Sequence, residues 1–286
     1  MITISDVINS INYSLAKEEI IEFVTSYFSK TRAKAGVVGL SGGVDSSVTL
    51  ALAAEALGPA KVYALIMPSK FTPSDDVEDA LNVARIYNVK YRVVDISPIL
   101  NVYEASIPDY DRENVVARGN LMARIRMSIL YYYANKLNGL VIGTGDKSEL
   151  YLGYFTKYGD GGVDLLPIGD LFKTQVRRLA AVLGIPERIV TKPSSPRFWF
   201  GHTAEGELGI SYQEVDLILY GYELGLSPSA IARETKIDLQ KIRKVLRKIK
   251  ENQHKRSPPP ICKLSRSKTI TRGFFQNTDS ARYIKP

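Results

Sequence analysis

The sequence SGGVDSS at residues 41–47 combines paired glycines, hydroxyl groups and a carboxylate in one short stretch. It follows the apolar run 37–40 and precedes the Ala-rich segment 48–57, a pattern that predicts a strand, a tight loop and the start of a helix. Glycines let backbone N–H groups turn inward, and a helix start offers unpaired N–H donors and a partial positive charge. These residues therefore predict a phosphate-binding loop.

Asp45 distinguishes this loop from a Walker A loop, in which Gly-Lys-Ser/Thr would follow the glycines. A carboxylate repels phosphate unless a divalent cation lies between them. We therefore interpret Asp45 as a Mg²⁺ ligand, and Ser41 and Ser46 as hydroxyl donors to pyrophosphate. The alternative is that Asp45 only stabilises the first turn of the helix through its dipole. The loop by itself leaves both interpretations open.

The chain has 286 residues, of which 45% are hydrophobic and 24% charged, so it can bury a full core. No apolar run approaches the roughly 20 residues of a membrane span, and the N-terminus lacks a signal-peptide pattern. We expect a cytoplasmic protein without membrane association. The single cysteine, Cys262, excludes internal disulfides and a Cys-based zinc cluster, and it has no nearby histidine that would favour a built-in glutaminase.

The net charge of +8 is unevenly distributed along the chain. Residues 236–286 carry 15 basic and 3 acidic side chains, whereas residues 1–235 carry 23 and 27. We divide the chain into one α/β domain at 1–260 and an extended basic tail at 261–286. Such a tail could bind nucleic acid, enclose a bound anionic nucleotide substrate or remain a solvated surface.

Apolar runs alternate with helical patterns in the first half of the chain. Strands are predicted at residues 37–40, 62–67, 91–95 and 140–143, and helices at 14–30, after the loop, from Ser74, and at 113–137. This alternation predicts a doubly wound parallel sheet with helices on both faces. Ligands bind at the carboxyl ends of such strands, where Ser41 and Thr144 are placed.

The second half of the chain contains two irregular segments. Residues 144–164 are rich in Gly, Asp, Tyr and Lys, which favours a binding loop over a core segment, and residues 191–209 are interpreted as a mobile lid. Helices are predicted at 173–183, 212–223, 228–235 and 239–253.

Four separated segments resemble the ammonia-dependent NAD synthetases in order and spacing. They read GLSGGVDSS from Gly39, GNLMARIRM from Gly119, VIGTGDKSELYLGYFTKYGDGGVDLLPIGDLFK from Val141, and HKR from His254, followed by prolines. The first segment resembles the PP-loop of the N-type ATP pyrophosphatases, which split ATP between the α and β phosphates. The third is specific to the NAD synthetases.

This resemblance implies the doubly wound α/β fold, ATP as co-substrate and Mg²⁺ as cofactor. The implied reaction converts nicotinic acid adenine dinucleotide (deamido-NAD) to NAD through an adenylated carboxylate, using ammonia and releasing AMP and pyrophosphate. It also implies a homodimer. The apolar positions of the helix at 113–137 either form the dimer interface or face the sheet; they are Leu121, Ile125, Ile129 and Tyr133.

The resemblance also implies roles for individual residues. ATP contacts fall on Gly39, Ser41, Gly42, Gly43, Asp45, Ser46, Thr144, Lys173 and Ser195, and the Mg²⁺ ligands are Asp45 and Glu149. Contacts to deamido-NAD fall on Arg124, Lys157, Asp164, His254 and Lys255. The catalytic candidates are Asp160 and Glu207, which would orient ammonia, and Lys173, whose charge would stabilise the departing pyrophosphate.

Several of these residues also have a simpler interpretation. Glu149 and Lys173 could be solvated surface residues, and Arg124 beside Arg126 could mark one solvated helix face. Asp160 could be a turn residue, and His254 a structural or surface histidine. The chain departs from the family pattern in the lid segment, at Pro196, Arg197, His202 and Ala204.

Two other functions compete with this interpretation. One is a different PP-loop adenylating enzyme, for tRNA modification or another amidation. The other is a helix-turn-helix at residues 226–248 that places its basic second helix in a DNA groove. We favour an enzyme that binds small molecules and no nucleic acid, because the basic segment leads into His254 and Lys255. The sequence leaves open whether ammonia is free or supplied by a separate glutaminase.

Overall fold

The computed structural model describes residues 1–262, and its centre is a parallel four-stranded sheet in the order β3-β2-β1-β4. The strands are β1 Gly36–Gly39, β2 Val62–Ile66, β3 Lys90–Val93 and β4 Leu140–Ile142. In the register of the central strand, Gly36 lies opposite Val62 on one side and Leu140 on the other. All four predicted strands are confirmed within two residues of their expected bounds. The proposed tail beyond Cys262 lies outside the described residues.

Helices cover both faces of this sheet. Their bounds are α1 Ile4–Ile8, α2 Tyr13–Thr31, α3 Val44–Leu57, α4 Ser74–Ile86, α5 Ser97–Ser106, α6 Val115–Lys136, α7 Lys147–Leu152, α8 Lys173–Val182, α9 Glu187–Thr191, α10 Ala204–Leu208, α11 Tyr212–Glu223, α12 Pro228–Thr235 and α13 Leu239–Glu251. Short 3₁₀ turns lie at Pro59–Lys61 and Gln253–Lys255. No helix among the described residues combines the length and apolar character needed to cross a bilayer.

Successive residues of β1 serve two different cores because side chains alternate across a strand. Val37 is buried with residues of α5 and α6 on one face of the sheet. Val38 is buried with residues of α2, α3, α4 and α8 on the other face. This two-sided coverage confirms the predicted doubly wound arrangement. The division of the chain at residue 260 stays a prediction.

A third core lies beyond the sheet and joins α1, α7 and the helices α11 to α13. The binding-loop interpretation of residues 144–164 misses this core, because Tyr151 and Leu152 of α7 are buried in it. The lid segment also contains α10, whose Ala204 and Leu208 are buried there. A five- or six-residue helix spans fewer than two turns, so its apolar periodicity is too short to recognise in a sequence.

Helix α4 begins at Ser74, as the sequence predicts. Its N-cap is Pro73, which makes no side-chain hydrogen bond, so Ser74 is the first helical residue and not the cap. The first turn of α4 packs against the phosphate-binding loop. Gly42 has φ +79, and a Cβ on it would lie 2.1 Å from the carbonyl oxygen of Asp76. This close approach requires glycine at position 42.

Candidate active site

Two cavities meet at the carboxyl ends of β1 and β4. The first has a volume of about 280 Å³ and extends from the loop at 41–46 past the end of β2 to the segment at 192–198. The second has a volume of about 200 Å³ and lies between the 144–166 region and Lys255. Their linings share Thr144, Glu149, Asp160 and Val163. Ligands in the two cavities would therefore meet across a common wall.

Seven of the nine predicted ATP residues line the first cavity; Gly42 and Lys173 do not. Gly39, Ser41, Gly43, Asp45 and Ser46 lie at one end, and Thr144 and Ser195 lie in the adjoining walls. Gly43 is the N-cap of α3 and offers no side chain to the helix N–H groups. Those donors suit an anionic ligand, as the sequence predicts.

The serine hydroxyls hold the loop in shape. Ser41 Oγ and Ser46 Oγ lie 3.0 Å apart, and the Ser46 hydroxyl is also placed 3.1 Å from the carbonyl oxygen of Gly43, as a donor to it. The backbone N–H of Ser41 donates to Ser46 Oγ at 3.2 Å. Both hydroxyls can also turn toward a phosphate, because a hydroxyl is a donor and an acceptor.

Lys173 occupies the centre of a buried carboxylate cluster. Its Nζ lies 2.7 Å from Asp45 Oδ2, 2.8 Å from Asp146 Oδ2 and 2.9 Å from Glu149 Oε1. The lysine side chain is 0% exposed, so the surface interpretation of this residue is wrong. One ammonium faces three carboxylates, and the cluster therefore has an excess of negative charge.

The proton affinities in this cluster follow from burial and charge. Burial alone would lower the pKa of Lys173, but Asp146, Asp45 and Glu149 together raise that pKa well above its usual value. Burial raises the pKa of Asp146 to about 6 and the pKa of Glu149 well above its usual value, although Lys173 opposes both shifts. An added cation would relieve the repulsion that remains between these carboxylates.

Asp146 is a member of this cluster that the sequence predictions miss. It is the N-cap of α7, and its Oδ1 accepts a hydrogen bond from the backbone N–H of Glu149 at 2.8 Å. An Asp followed three residues later by Glu is a recognisable helix-start pattern. That pattern could have placed both side chains at the N-terminus of one helix.

The donor set of this cluster fits a divalent cation. One oxygen from each of Asp45, Asp146 and Glu149 lies within 4.8 Å of the other two. Asp45 Oδ1 is buried and has no hydrogen-bond partner among residues 1–262. Carboxylate oxygens are the ligands that Mg²⁺ prefers, and Mg²⁺ keeps the remainder of its shell for water and phosphate.

Asp216 joins the two helix starts that carry Glu149 and Lys173. It is 0% exposed, accepts a hydrogen bond from Ser148 Oγ at 2.5 Å and accepts another from the backbone N–H of Thr174 at 2.8 Å. Ser148 Oγ in turn accepts from the backbone N–H of Lys173 at 3.0 Å. Asp216 on α11 therefore fixes the relative position of α7 and α8.

Asp216 gives a testable pH dependence, because burial raises its pKa from 3.8 to about 7. A carboxyl group whose pKa is raised in the folded state stabilises the fold below its unfolded pKa, and this contribution is lost as pH rises through the folded value. Between pH 4 and 7, we expect the unfolding free energy of the wild type to fall by about 2–4 kcal/mol more than that of Asp216→Asn. Urea unfolding across this range measures the decline.

Glu214→Gln on the same helix is the control for this experiment. A hydrogen bond from Lys241 lowers the pKa of Glu214, so this residue stabilises the fold above its unfolded pKa and has the opposite slope. The control should leave the decline between pH 4 and 7 in place. An equal decline in wild type and Asp216→Asn would contradict the prediction.

Asp160 lies in the wall that the two cavities share and is open to solvent there. Its Oδ1 accepts a hydrogen bond from the backbone N–H of Thr156 at 2.8 Å, which also fits the turn interpretation. The protein around the cavity raises the pKa of Asp160 by desolvation, against the effect of this hydrogen bond and of Lys255. A carboxylate with increased proton affinity is suited to accept a proton at this wall.

Glu207 lies behind Tyr154, which lines the first cavity. The Tyr154 hydroxyl donates to Glu207 Oε2 at 2.6 Å, and His202 Nε2 lies 2.8 Å from the same oxygen. His202 is buried, stacks on Trp199 and has its pKa lowered by burial. The neutral His202 ring donates to Glu207, and the backbone carbonyl oxygen of His202 accepts a hydrogen bond from the Ser195 hydroxyl. The departure from the family pattern at His202 thus builds a hydrogen-bonded support for Glu207.

A second ion cluster fastens the lid segment to α4. Lys192 Nζ lies 2.7 Å from Asp76 and 2.5 Å from Asp79, and it donates to the Gly42 carbonyl oxygen at 3.3 Å. Arg197 Nε donates to Asp76 at 2.7 Å. The departure from the family pattern at Arg197 therefore gives an ion pair between the lid and α4, close to the phosphate-binding loop.

The predicted dinucleotide residues form a group around the second cavity. Asp164 and Lys255 line it. Arg124 Nη2 donates to the Lys157 carbonyl oxygen at 3.3 Å, and Lys157 Nζ donates to the His254 carbonyl oxygen at 2.8 Å. The sequence places these residues far apart, and the fold brings them together.

Some of these side chains already have protein partners. Asp164 accepts hydrogen bonds from the Val141 N–H and the Tyr131 hydroxyl. Lys255 Nζ donates to the carbonyl oxygens of Gly153 and Phe155. These contacts hold the wall of the second cavity in place.

Arg124 and Arg126 do not share a solvated face. Residues two apart on an α-helix point about 200° apart, so one arginine faces outward when the other faces the core. Arg124 is exposed, whereas Arg126 lines the first cavity and donates through Nε to the Met67 carbonyl oxygen at 3.0 Å. Arg126 is therefore a second residue of the site that sequence reasoning misses.

The basic helix α13 presents its apolar side to the third core. Ile242, Val245 and Ile249 are buried, while Lys241 pairs with Glu214 at 2.7 Å and Lys244 donates to the Leu208 carbonyl oxygen. The helix, break and helix predicted at 226–248 are present as α12 and α13.

The parallel sheet and its glycine loop, followed by a carboxylate cluster, define an N-type ATP pyrophosphatase of the PP-loop class. The family model described as NAD synthase matches residues 16–259, and the chain belongs to this family. An NH(3)-dependent NAD(+) synthetase of Staphylothermus marinus is 50% identical over 266 residues, which cover 92% of this chain and 96% of that protein.

Two solved structures are similar to this fold. An NH3-dependent NAD synthetase from Campylobacter jejuni has a TM-score of 0.75 and 31% identity, and the match covers 88% of this chain and 100% of that one. An NMN synthetase from Francisella tularensis has a TM-score of 0.79 and 32% identity, with coverage of 88% and 99%. The resemblance and the α/β fold expected from the sequence are confirmed.

Proposed function

We propose that the chain converts deamido-NAD to NAD in an ATP-dependent amidation that uses ammonia and releases AMP and pyrophosphate. The observation that carries this proposal is the pair of cavities with a common wall at Thr144, Glu149 and Asp160. The reaction requires ATP and a second nucleotide to meet at one point. Membership of the NAD synthase family favours this reaction over other PP-loop adenylations and over DNA binding.

The first cavity is assigned to ATP. The β and γ phosphates lie against the loop at 41–46 and the start of α3, where Gly43 offers an uncapped helix end. The adenosine lies along the ends of β1 and β2, where Leu65, Ile66 and Met67 provide an apolar wall. This orientation places the α phosphate between the adenosine and the shared wall.

Asp45 and Glu149 would hold Mg²⁺, and Asp146 adds charge to the same cluster. When bound, the cation neutralises the phosphates and the developing negative charge of pyrophosphate. Lys173 supplies a second positive charge from the buried side of the cluster, where three carboxylates keep it protonated.

The second cavity is assigned to the nicotinic acid end of deamido-NAD. Asp164 and Lys255 line it, and Arg124, Lys157 and His254 extend from it along the surface. Positive side chains along this path suit the dinucleotide phosphates.

The chemistry then takes place at the shared wall. A carboxylate oxygen of deamido-NAD attacks the α phosphorus, and the bond to the β-phosphate oxygen breaks as pyrophosphate leaves. Ammonia then attacks the carbonyl carbon, and the carbon–oxygen bond to AMP breaks. Asp160 takes the proton that the nitrogen loses, in keeping with its raised pKa. Glu207 acts through Tyr154, which it holds in the cavity wall.

A nitrogen-donor assay tests this proposal. Purified protein with ATP and deamido-NAD should form equal amounts of NAD and AMP with ammonium, and no NAD with glutamine. The control is Cys262→Ser, because Cys262 is exposed and the change should leave the rates unaltered. Efficient use of glutamine would contradict the ammonia assignment.

The likeness to an NMN synthetase supplies a second candidate function, with nicotinic acid mononucleotide as the acceptor. Replacing deamido-NAD by this mononucleotide in the same assay compares the two. A higher kcat/KM for the mononucleotide than for deamido-NAD would show that the chain forms NMN in preference to NAD.

The enzyme is proposed to act in the cytoplasm, where ATP is available, and as a homodimer, the state that the family resemblance implies. Ile125 is buried in the core under α6, and Leu121, Ile129 and Tyr133 are partly buried against it, which favours the interpretation that they face the sheet. Exposed apolar residues of α5 and α6 that could contribute to a dimer are Val102, Tyr103, Val116 and Tyr132, all at least 44% exposed. Sedimentation of the active protein checks this state.

A further inference from the structure

Arg126 is a partly buried cation in the wall of the ATP cavity, and it has unused hydrogen-bond donors. Its Nε donates to the carbonyl oxygen of Met67, the residue that follows β2, and this contact directs the guanidinium along the cavity wall. The two terminal nitrogens have no hydrogen-bond partner among residues 1–262. Within the same part of the chain, no carboxylate lies within ion-pair distance of them.

The other cations of this cavity are already neutralised. Lys192 pairs with Asp76 and Asp79, and Arg197 pairs with Asp76. Lys173, behind the lining, faces three carboxylates. Arg126 is therefore the cavity cation, among the described residues, that lacks a carboxylate partner. Burial lowers its pKa to about 10, which still leaves it charged at neutral pH.

A charge that is partly withdrawn from water and lacks a partner is stabilised by a ligand of opposite charge. We propose that Arg126 is a catalytic residue that binds the non-bridging oxygens of the α phosphate of ATP during adenylation. A guanidinium presents two parallel N–H donors that match the oxygens of a phosphate group. This inference rests on the proposed function, which places ATP in the first cavity.

The position of Arg126 selects the α phosphate among the anions of this reaction. The β and γ phosphates are assigned to the loop at 41–46, which follows β1. The dinucleotide belongs to the second cavity, and Arg126 lines only the first. The Arg126 guanidinium lies at the end of β2, beside the site assigned to the adenosine. It is also close enough to Asp160 in the shared wall for that carboxylate to favour the charged form of the arginine.

The contact would stabilise the transition state of the adenylation step. As the nicotinate oxygen bonds to the α phosphorus and the bond to pyrophosphate breaks, negative charge spreads over the non-bridging oxygens. No proton is gained or lost in this step. Arg126 would hold that charge without reorganising, because the Met67 carbonyl already fixes its orientation.

Exchange of labelled pyrophosphate into ATP, measured with deamido-NAD and without ammonia, reports on adenylation alone. We expect Arg126→Gln to slow this exchange by at least about 100-fold, the scale of losing one preorganised donor to a developing anion. Arg126→Lys should retain part of the rate, since it keeps the charge and loses the paired donors. Added guanidinium should restore part of the rate to Arg126→Ala.

Arg124→Gln is the matched comparison, two residues away on the same helix. It should raise the KM for deamido-NAD and leave the KM for ATP unchanged, because Arg124 contacts the loop at Lys157 and not the ATP cavity. The melting temperature of Arg126→Gln should stay close to that of wild type, because Arg126 is partly exposed and has no ion-pair partner among residues 1–262. A merely structural arginine would give a less stable protein without guanidinium rescue.

Exchange in Arg126→Gln within threefold of wild type would overturn the inference and leave the proposed function standing. If wild type adenylates only nicotinic acid mononucleotide, the substrate assignment fails. In that case the role of Arg126 is tested by pyrophosphate exchange with nicotinic acid mononucleotide as the acceptor. Loss of this exchange in Arg126→Gln supports the inference, and retention of it overturns the inference.

Discussion

Asp45→Ala and Glu149→Ala should each lower AMP formation at least about 1000-fold, because a bound metal contributes several kcal/mol to the transition state and each 1.4 kcal/mol is a factor of ten. Stability should change little, since Lys173 keeps two carboxylate partners in either variant. Steady-state AMP release and the shift of melting temperature on adding Mg²⁺ measure the two effects.

Asp75→Ala is the control for both variants. Asp75 lies in the first turn of α4 near the phosphate-binding loop, but its side chain is exposed and outside the cluster. Its activity and its response to Mg²⁺ should match those of wild type. Near-normal AMP formation in Asp45→Ala or Glu149→Ala would refute the assignment of the metal ligands.

Lys173→Met should destabilise the protein by about 3–5 kcal/mol without divalent cations, because it leaves buried carboxylates without a partner. Adding Mg²⁺ should restore much of this loss, since a cation can take the place of the ammonium among the three carboxylates. Urea unfolding at neutral pH, with and without Mg²⁺, measures both quantities. AMP formation should also fall steeply.

The matched variant is Lys241→Met, which breaks the more exposed ion pair with Glu214. Such pairs contribute at most about 1 kcal/mol, so its stability should barely change and should not depend on Mg²⁺. A Lys173→Met protein as stable as wild type, with no added response to Mg²⁺, would show that the cluster is not a cation site.

The sequence predicts the strands and long helices because each depends on local patterns. The apolar runs at β1, β2 and β4 are bounded by turn residues, and α11 and α12 begin and end where their caps predict. Helices α1, α5, α7, α9 and α10 are not among the predicted helices. The burial of α7 depends on packing against α11 and α13, which are distant from it in the sequence.

The site shows the same division between local and distant causes. Asp45 is recognisable beside a predicted helix start and Glu149 through the family resemblance, but nothing local indicates that Lys173 is buried between them. Its position depends on Asp216, 43 residues further on, which ties α8 to α7. Arg126 likewise acquires its place only when α6 crosses the end of β2. Long-range packing decides which charges enter a cavity.

The two adjacent glycines of the phosphate-binding loop differ in the substitutions that they can accept during evolution. A methyl group at Gly42 would meet the Asp76 carbonyl oxygen at 2.1 Å on a left-handed backbone, so this position is closed to every other residue. At Gly43 the φ angle is −88, and a methyl group would meet only Ser41 Oγ, at 3.4 Å. We therefore expect residue 42 to stay glycine during evolution, whereas the backbone of the loop tolerates a side chain at residue 43. A substitution at residue 43 would be selected against only if its side chain interfered with the bound ligand.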